Sequence, residues 1–257
     1  MSRSEGPFRY RAGFFTRFLL ATAFFTRLPA DPRAGEWRLA DSAWAFPLVG
    51  AGIGGAAALA LLLSQLIGLA SWATALLSVL ASIAITGALH EDGLADTADG
   101  FFGGRDREEK LAILRDSRQG TYGVLAIVLS VLLRAAALAG IGDAIHAGLA
   151  LIAAHAASRA ALPAAMIGLT PARRDGLGAM AGIPRAGGAI AAALIGAAIA
   201  LAALGPVRGG VAICLTGIVV FAMAELSRRH IGGYTGDVLG AFQQVGEIVI
   251  LLAGSAK

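Results

Sequence analysis

The sequence predicts an all-α fold: a polytopic transmembrane helical bundle of about seven spans plus an N-terminal interfacial amphipathic helix. Of its 257 residues, 57% are hydrophobic and only 15% are charged, and the mean hydropathy is +0.73. The apolar residues form long blocks separated by short polar clusters, which is typical of helical membrane proteins. Glycine and alanine are frequent, and small residues let membrane helices approach closely, although a GC-rich genome would produce the same bias.

Seven apolar stretches are long enough to cross a hydrocarbon core about 30 Å thick, which takes about 20 helical residues. The predicted spans are residues 43–68, 72–90, 120–140, 146–168, 187–204, 210–227 and 237–253. We expect a single integral membrane domain over residues 1–257, in which a segment of residues 1–40 precedes the bundle of residues 41–257. Residues 13–28 combine Phe and Leu with Arg, which predicts an amphipathic helix at the membrane interface.

The distribution of positive charge predicts the orientation of the bundle. Of the 21 Lys and Arg residues, 17 lie in the N-terminal segment and in three alternate loops. Because cytoplasmic loops carry the excess of Lys and Arg, we expect the N-terminus on the cytoplasmic side of the inner membrane and the C-terminus outside. The same assignment places on the cytoplasmic side every polar cluster rich in reactive groups, namely HEDGLADTADG, RDSRQGTYG, RRDGLG and RRHIGGYTGD. An active site is therefore expected to open to the cytoplasm.

The first of these clusters, HEDGLADTADG, carries four carboxylates within nine residues, those of Glu91, Asp92, Asp96 and Asp99. If the cluster continues the preceding helix, the three aspartates are spaced i, i+4, i+7 and project from one face. Carboxylates on one stripe repel each other, and hard oxygen ligands of this kind suit Mg²⁺ or Mn²⁺. A solvated helix end whose acids pair with nearby arginines is the simpler alternative. Four acids at a membrane boundary favour the metal site.

The second cluster, RDSRQGTYG, carries groups that suit phosphate. The guanidinium groups of Arg115 and Arg118 lie beside the hydroxyls of Ser117 and Thr121 in the sequence, and arginine presents a fork that matches phosphate oxygens. Ordinary positive charge next to a membrane explains part of the same pattern.

Ionisable residues inside predicted spans are costly and indicate function. Arg159 and Glu247 lie within two different spans, and a pair between them could face the bundle interior. Arg134 lies nearer the outer end of its span, which favours a structural role with the side chain extended to the interface. Asp237 stands at the entry to the last span, where capping of the helix by Thr235 or Asp237 is the simpler interpretation.

Three motifs in fixed order, HEDGLADTADG, RDSRQGTYG and GGYTGDVLGA, resemble those of the cobalamin synthases, the adenosylcobinamide-GDP ribazoletransferases. The resemblance covers the chain from about residue 14 onward. That family typically has KDSRIGTYG, so Arg115 replaces a lysine and Gln119 an isoleucine; the positive charge is kept, but the lysine amine is not. The acidic motif also resembles the spaced aspartates of CDP-alcohol phosphotransferases, which likewise displace a nucleoside monophosphate from a diphosphate.

The resemblance implies transfer of adenosylcobinamide phosphate from adenosylcobinamide-GDP to α-ribazole or its 5′-phosphate, with release of GMP and with Mg²⁺ as cofactor. The expected metal ligands are Glu91, Asp92, Asp96 and Asp99. Asp99 is the candidate general base for the ribazole hydroxyl, with Asp96 as the second catalytic carboxylate. The expected substrate- and phosphate-binding residues are Arg115, Asp116, Ser117, Arg118, Thr121, Arg159, Asp237 and Glu247. The expected partners are the two substrates and the lipid bilayer, with a second copy of the chain or other cobalamin-assembly enzymes as further candidates.

Two other functions compete with this one. A CDP-alcohol phosphotransferase of phospholipid synthesis would show DG followed closely by AR and two further aspartates, whereas here Ala95 is followed by Asp96. A membrane transporter would concentrate polar residues at the bilayer midplane, whereas the polar clusters of this chain crowd one face. The sequence shows no GxxxxGK[ST], no GxGxxG after a strand and no His/Cys zinc spacing, and no nucleic-acid partner is expected.

Overall fold

The computed structural model describes residues 13–30, 38–116 and 118–256, and the regular elements of this part of the chain are all helical. The helices are α1 (Phe14–Phe25), α2 (Phe46–Leu66), α3 (Ser71–Thr86), α4 (Leu89–Gly103), α5 (Arg107–Ile113), α6 (Thr121–Ile141), α7 (Ala144–Gly168), α8 (Leu177–Met180), α9 (Ala186–Ile231) and α10 (Gly236–Ser255). A 3₁₀ helix, Leu39–Ala45, leads into α2. The predicted all-α fold is confirmed.

The number of candidate membrane-crossing helices approaches the seven predicted once a break in α9 is considered. Five helices of the described chain are long and apolar enough to cross a membrane, and α3 with α4 makes a sixth candidate. In α9, Gly205 has non-helical backbone (φ 77°, ψ 171°), and a Cβ on Gly209 would lie only 2.8 Å from the carbonyl oxygen of Ala200. The chain therefore folds back on itself at Gly205. The predicted spans 187–204 and 210–227 lie in the two arms.

The prediction of one continuous span over residues 72–90 is wrong. α3 ends at Thr86, and the next two residues, Gly87 and Ala88, have left-handed backbone (φ 65° and 59°). Glycine adopts this conformation readily, whereas in alanine the Cβ crowds the following carbonyl oxygen. α4 then starts at Leu89 with its axis bent by 92° from that of α3. The acidic cluster thus forms a helix of its own, on which the i, i+4, i+7 spacing of the aspartates still holds.

Close helix packing through small residues is most evident between α2 and α7. A Cβ on Gly50 would lie 2.8 Å from the carbonyl carbon of His155, and one on Gly54 would lie 2.6 Å from the carbonyl oxygen of Leu151. The two glycines are one helical turn apart and form a GxxxG contact, in which the backbones themselves touch. α7 consequently lies in the centre of the bundle, with most of its residues buried.

The polar clusters predicted to share one side do meet at one end of the bundle, which we call the polar end. The guanidinium group of Arg107 in α5 donates to the carbonyl oxygen of Ile231 at 2.9 Å and to that of Ala172 at 2.7 Å. One side chain therefore ties together the segment after α4, the loop before α8 and the end of α9.

The N-terminal helix predicted over residues 13–28 is α1. Phe14 and Phe15 are exposed, whereas Ala21 and Phe25 are buried against the bundle. Its location at the membrane interface stays a prediction, and the arginines that precede residue 13 fall outside the described residues.

Candidate active site

The site is built where α4 crosses α10 at the polar end. A Cβ on Gly93 would lie 2.7 Å from the carbonyl oxygen of Asp237, and one on Gly240 would lie 3.3 Å from the Cα of Gly93. Only glycine at these positions allows so close an approach. The crossing places Asp237, at the start of α10, directly beside the acidic face of α4.

Three carboxylates gather at this crossing, those of Asp92, Asp96 and Asp237, which we call the acidic group. Asp92 is exposed and Asp96 is half-buried, and the negative charges of Asp92 and Asp237 both act on the carboxylate of Asp96. Asp237 is largely buried and accepts a hydrogen bond from the hydroxyl of Thr235 at 3.1 Å. Thr235 is also the N-cap of α10 and accepts from the backbone N–H of Val238, so the predicted cap is Thr235 and the carboxylate of Asp237 is available for other contacts.

Asp99 does not have the geometry predicted for a general base or a metal ligand. Its two carboxylate oxygens accept hydrogen bonds from the backbone N–H groups of Gly120, at 2.7 Å, and Gly123, at 2.9 Å, and the residue is buried. Each oxygen of this carboxylate is thus already held by a backbone N–H at the start of α6, which leaves fewer lone pairs for a proton or a metal ion. Asp99 instead fastens the start of α6 to α4.

Glu91 points into the bundle interior, away from the acidic group. Its Oε1 accepts from Arg134 Nη1 at 3.0 Å and from the side-chain amide of Gln244 at 3.1 Å. Arg134 also donates to Glu247 at 3.1 Å and is 1% exposed. The prediction that Glu91 ligates the metal is therefore not supported, and the prediction that Arg134 extends to the interface is wrong. A buried arginine that neutralises two carboxylates explains both results.

The sequence allowed a direct pair between Arg159 and Glu247, and the structure links them through His155 instead. Arg159 Nη1 lies 3.1 Å from His155 Nδ1, which lies 3.1 Å from Glu247 Oε2. The guanidinium of Arg159 also stacks over the ring of Phe25, 5.6 Å from its centroid, and approaches His90 Nδ1 at 3.5 Å. Neither Arg159 nor Glu247 is exposed, so both belong to the bundle interior.

These interior contacts form one polar network that reaches far from the polar end. Glu247 lies 11 residues beyond the first residue of α10, which corresponds to about 16 Å along the helix. Its Oε2 accepts from the side-chain amide of Gln243 at 2.6 Å, and Ser130 donates to Gln244 at 2.8 Å. The expectation that polar residues crowd one face is therefore correct for the loops but incomplete for the helices. The network joins α4, α6, α7 and α10.

The RDSRQGTYG segment presents its arginines at the surface. Arg115 forms an ion pair with Asp175 at 3.0 Å, and Arg118 pairs with Asp116 at 2.6 Å while remaining 88% exposed. Hydrogen bonds from Arg118 lower the pKa of Asp116 to about 2, so both groups stay charged. Thr121 is the exposed first residue of α6.

Ser117, the remaining residue predicted in this segment, lies outside the described residues. Both arginines of the segment already have a carboxylate partner, so binding of phosphate to either requires exchange of that partner.

The carboxylates of the acidic group are suitable ligands for Mg²⁺, but they are too few and too far apart to surround the ion. In the described parts of the chain, no three His, Cys, Asp or Glu side chains come together closely enough to hold a metal ion by themselves. Mg²⁺ in phosphate-handling sites is usually held by one or two carboxylates, with water and substrate phosphate completing the shell. Asp92 and Asp237 meet that requirement because neither carboxylate is neutralised by a short ion pair.

Two residues beside the acidic group were not predicted from the sequence. Gln119 donates to Asp96 Oδ1 at 3.2 Å, and Arg173 approaches Asp237 Oδ2 at 3.4 Å. The cluster RRDGLG was recognised as polar, but its spacing offers no reason to prefer one arginine over the other. The two arginines are distinguished only in the structure, where this loop pairs with the segment that leads into α10 and Arg173 lies beside Asp237.

Together, the fold and the site define an integral membrane enzyme with carboxylates and arginines assembled at one end of a helical bundle. The model of the Cobalamin-5-phosphate synthase family matches residues 17–255, and the chain belongs to that family. It is therefore a transferase of cobalamin biosynthesis.

The curated relatives agree with this assignment. The chain is 48% identical over 239 residues to an adenosylcobinamide-GDP ribazoletransferase of Bradyrhizobium diazoefficiens, and the match covers 92% of each chain. It is 47% identical over 243 residues to the enzyme of that name from Azorhizobium caulinodans, covering 90% of this chain and 92% of the relative. It is 46% identical over 237 residues to that of Mesorhizobium japonicum, covering 92% and 91%. No solved structure matches the chain.

Proposed function

We propose that this chain transfers adenosylcobinamide phosphate from adenosylcobinamide-GDP to a free ribose hydroxyl of α-ribazole, or of α-ribazole 5′-phosphate, with release of GMP. The observation that carries the proposal is the near-complete match to relatives that bear this activity as their name. In the reaction, the ribazole oxygen forms a bond to the phosphorus that carries the cobinamide. The bond from that phosphorus to GMP breaks, and the hydroxyl proton is accepted by a base.

Within this site, Asp92 and Asp237 would hold Mg²⁺, and Asp96 would accept the proton. Bound Mg²⁺ spreads the negative charge of the diphosphate during transfer. Asp92 is exposed and Asp237 faces it across the α4–α10 crossing, so both can reach a diphosphate that enters from the polar end. Asp96 is close enough to both for their charges to act on it, and it accepts a hydrogen bond from Gln119. A carboxylate with spare lone pairs suits a general base better than Asp99, whose oxygens are already occupied.

The polar end of the bundle is proposed to face the cytoplasm, with the protein in the inner membrane. The support is the excess of Lys and Arg in the segments that meet at this end. The donor carries a charged diphosphate, which does not cross a bilayer unaided. A donor made in the cytoplasm would therefore stay there. This orientation would deliver both substrates directly to the acidic group.

A direct assay tests the proposal. Purified protein in detergent with Mg²⁺, adenosylcobinamide-GDP and α-ribazole should release GMP and form the cobalamin product, and removal of Mg²⁺ with EDTA should stop both. Asp96→Asn should lose turnover but keep Mg²⁺-dependent binding of GDP, whereas Asp92→Asn and Asp237→Asn should lose that binding. Release of CMP from a CDP-alcohol, with no GMP from the cobinamide donor, would establish the rival phospholipid activity instead.

A further inference from the structure

The loop before α8 is held against the start of α10 by backbone hydrogen bonds. The N–H of Ala172 donates to the carbonyl of Tyr234 at 2.8 Å, and the N–H of Tyr234 donates to the carbonyl of Thr170 at 2.9 Å. Gly233 lies so close to Thr170 that any side chain there would overlap its carbonyl. The pairing fixes the position of the next residue, Arg173.

Arg173 lies on the rim of the acidic group with part of its hydrogen-bonding capacity unused. Its Nη2 is 3.4 Å from Asp237 Oδ2, a long contact for a charged pair, and its side chain is only 16% exposed. Its Nη1 is buried and finds no hydrogen-bond partner among the described residues. A buried guanidinium N–H without a partner costs free energy that an anionic ligand would recover.

The surroundings of Arg173 favour an anion at this place. A Cβ on Gly176 would lie 3.2 Å from Arg173 Nη2, so a residue without a side chain at this position leaves room for the guanidinium beside the site. Asp175, the other carboxylate nearby, is engaged by Arg115, and the bond of its own backbone N–H and that arginine lower its pKa. Asp175 makes no hydrogen bond to Arg173, whose guanidinium lies beside Asp237, one of the two carboxylates that are proposed to hold Mg²⁺.

We propose that Arg173 binds the diphosphate of the nucleotide-activated donor. The negative charge of a diphosphate placed here would be neutralised on one side by the Mg²⁺ that the carboxylates would hold, and on the other side by the guanidinium of Arg173. Its oxygens would take the unused N–H of Arg173, and the long contact with Asp237 would be given up as Asp237 turns to the metal. This assignment rests on the proposed function, and it deepens that function by naming a donor-binding residue outside the three sequence motifs.

The test compares Arg173→Ala and Arg173→Lys with Arg174→Ala, a matched control because Arg174 is the exposed neighbour. Arg173→Ala should weaken Mg²⁺-dependent binding of GDP by about tenfold or more, the size expected for loss of a charge-assisted hydrogen bond. Binding of guanosine, which has no phosphate, should not change. The KM for adenosylcobinamide-GDP should rise in parallel, while that for α-ribazole stays the same. Arg173→Lys should restore part of the binding, because it keeps the charge but not the fork.

Specific outcomes would overturn the proposal. GDP binding and donor KM equal to those of the wild type in Arg173→Ala would exclude contact with the diphosphate, as would an equal loss in Arg174→Ala. Weakened guanosine binding, or a lower unfolding temperature in detergent that accounts for the loss, would show that Arg173 acts only by supporting the fold. If the wild-type protein binds GDP but releases no GMP from the donor, the proposed function fails while the comparison of GDP binding still decides the role of Arg173.

Discussion

Arg134 lies between two buried carboxylates, with Nη1 at 3.0 Å from Glu91 Oε1 and at 3.1 Å from Glu247 Oε1. Glu91 belongs to the helix that carries the acidic group, and Glu247 belongs to the helix that crosses it. One guanidinium therefore holds α4 against α10 in the bundle interior. At the site itself, the glycines of the crossing set the distance between the two helices.

Replacement of Arg134 should destabilise the protein strongly. Arg134→Met removes the charge but fills a similar volume, and it leaves Glu91 and Glu247 buried without their shared cation. Breaking a buried pair in this way costs about 3–5 kcal/mol. Unfolding in detergent, followed by circular dichroism, should show the loss. Arg208→Met is the control because Arg208 is exposed, and an equal stability of the two variants would contradict the role assigned to Arg134.

A methyl group at Gly93 should reduce activity more than stability. Gly93→Ala places its Cβ against the backbone of Asp237, so α4 and α10 must move apart and Asp237 leaves its position beside Asp92. A displacement of about 1 Å at a reacting site can lower the rate by about 100-fold. The measurement is kcat/KM for GMP release. Gly103→Ala is the control on the same helix. Its Cβ would lie 3.7 Å from Ile113 Cδ1, an ordinary van der Waals distance, so its activity should remain close to that of the wild type.

Asp99 and Gly123 should behave as one unit. Asp99→Asn cannot accept from both backbone N–H groups, and Gly123→Ala pushes its Cβ into the carboxylate, so each should lower stability by about 1–3 kcal/mol together with activity. Gly140→Ala, in the same helix with open space around it, is the control. If Asp99→Asn abolished turnover while its unfolding curve remained that of the wild type, Asp99 would be the base after all.

The orientation of the bundle can be read from two single cysteines. In a Cys214→Ala background, Arg118→Cys lies at the polar end and Ser71→Cys at the start of α3, and both positions are exposed. A thiol reagent that does not cross membranes should label the first only in inverted vesicles and the second only in intact cells. The opposite pattern would place the acidic group outside the cytoplasm.

The sequence was sufficient to predict the part of the site that lies on a single helix, α4. The residues that other helices contribute could not be predicted, because their positions depend on how the helices pack. The spacing of Asp92 and Asp96 was sufficient to place them on one face, because α4 is regular. The bend before α4 was not predictable, since it requires Ala88 in a conformation that alanine rarely adopts. The role of Arg134 was misjudged, and that of His155 was not predicted, because hydropathy does not indicate which buried side chains of different helices face each other. The two carboxylate partners of Arg134 lie 43 and 113 residues away in the chain, and only packing brings them together.

The dependence of the acidic group on α10 also has a consequence for synthesis in the membrane. α4 leaves the ribosome early, but Asp237, Gln244 and Glu247 all belong to the last helix described. Until that helix inserts, Arg134 can pair with Glu91 but not with Glu247, and the aspartates of α4 have no Asp237 opposite them. A nascent or truncated chain without α10 would therefore carry incompletely neutralised charge in the bilayer and no catalytic centre. Final assembly of the site and completion of membrane integration are, for this protein, the same event.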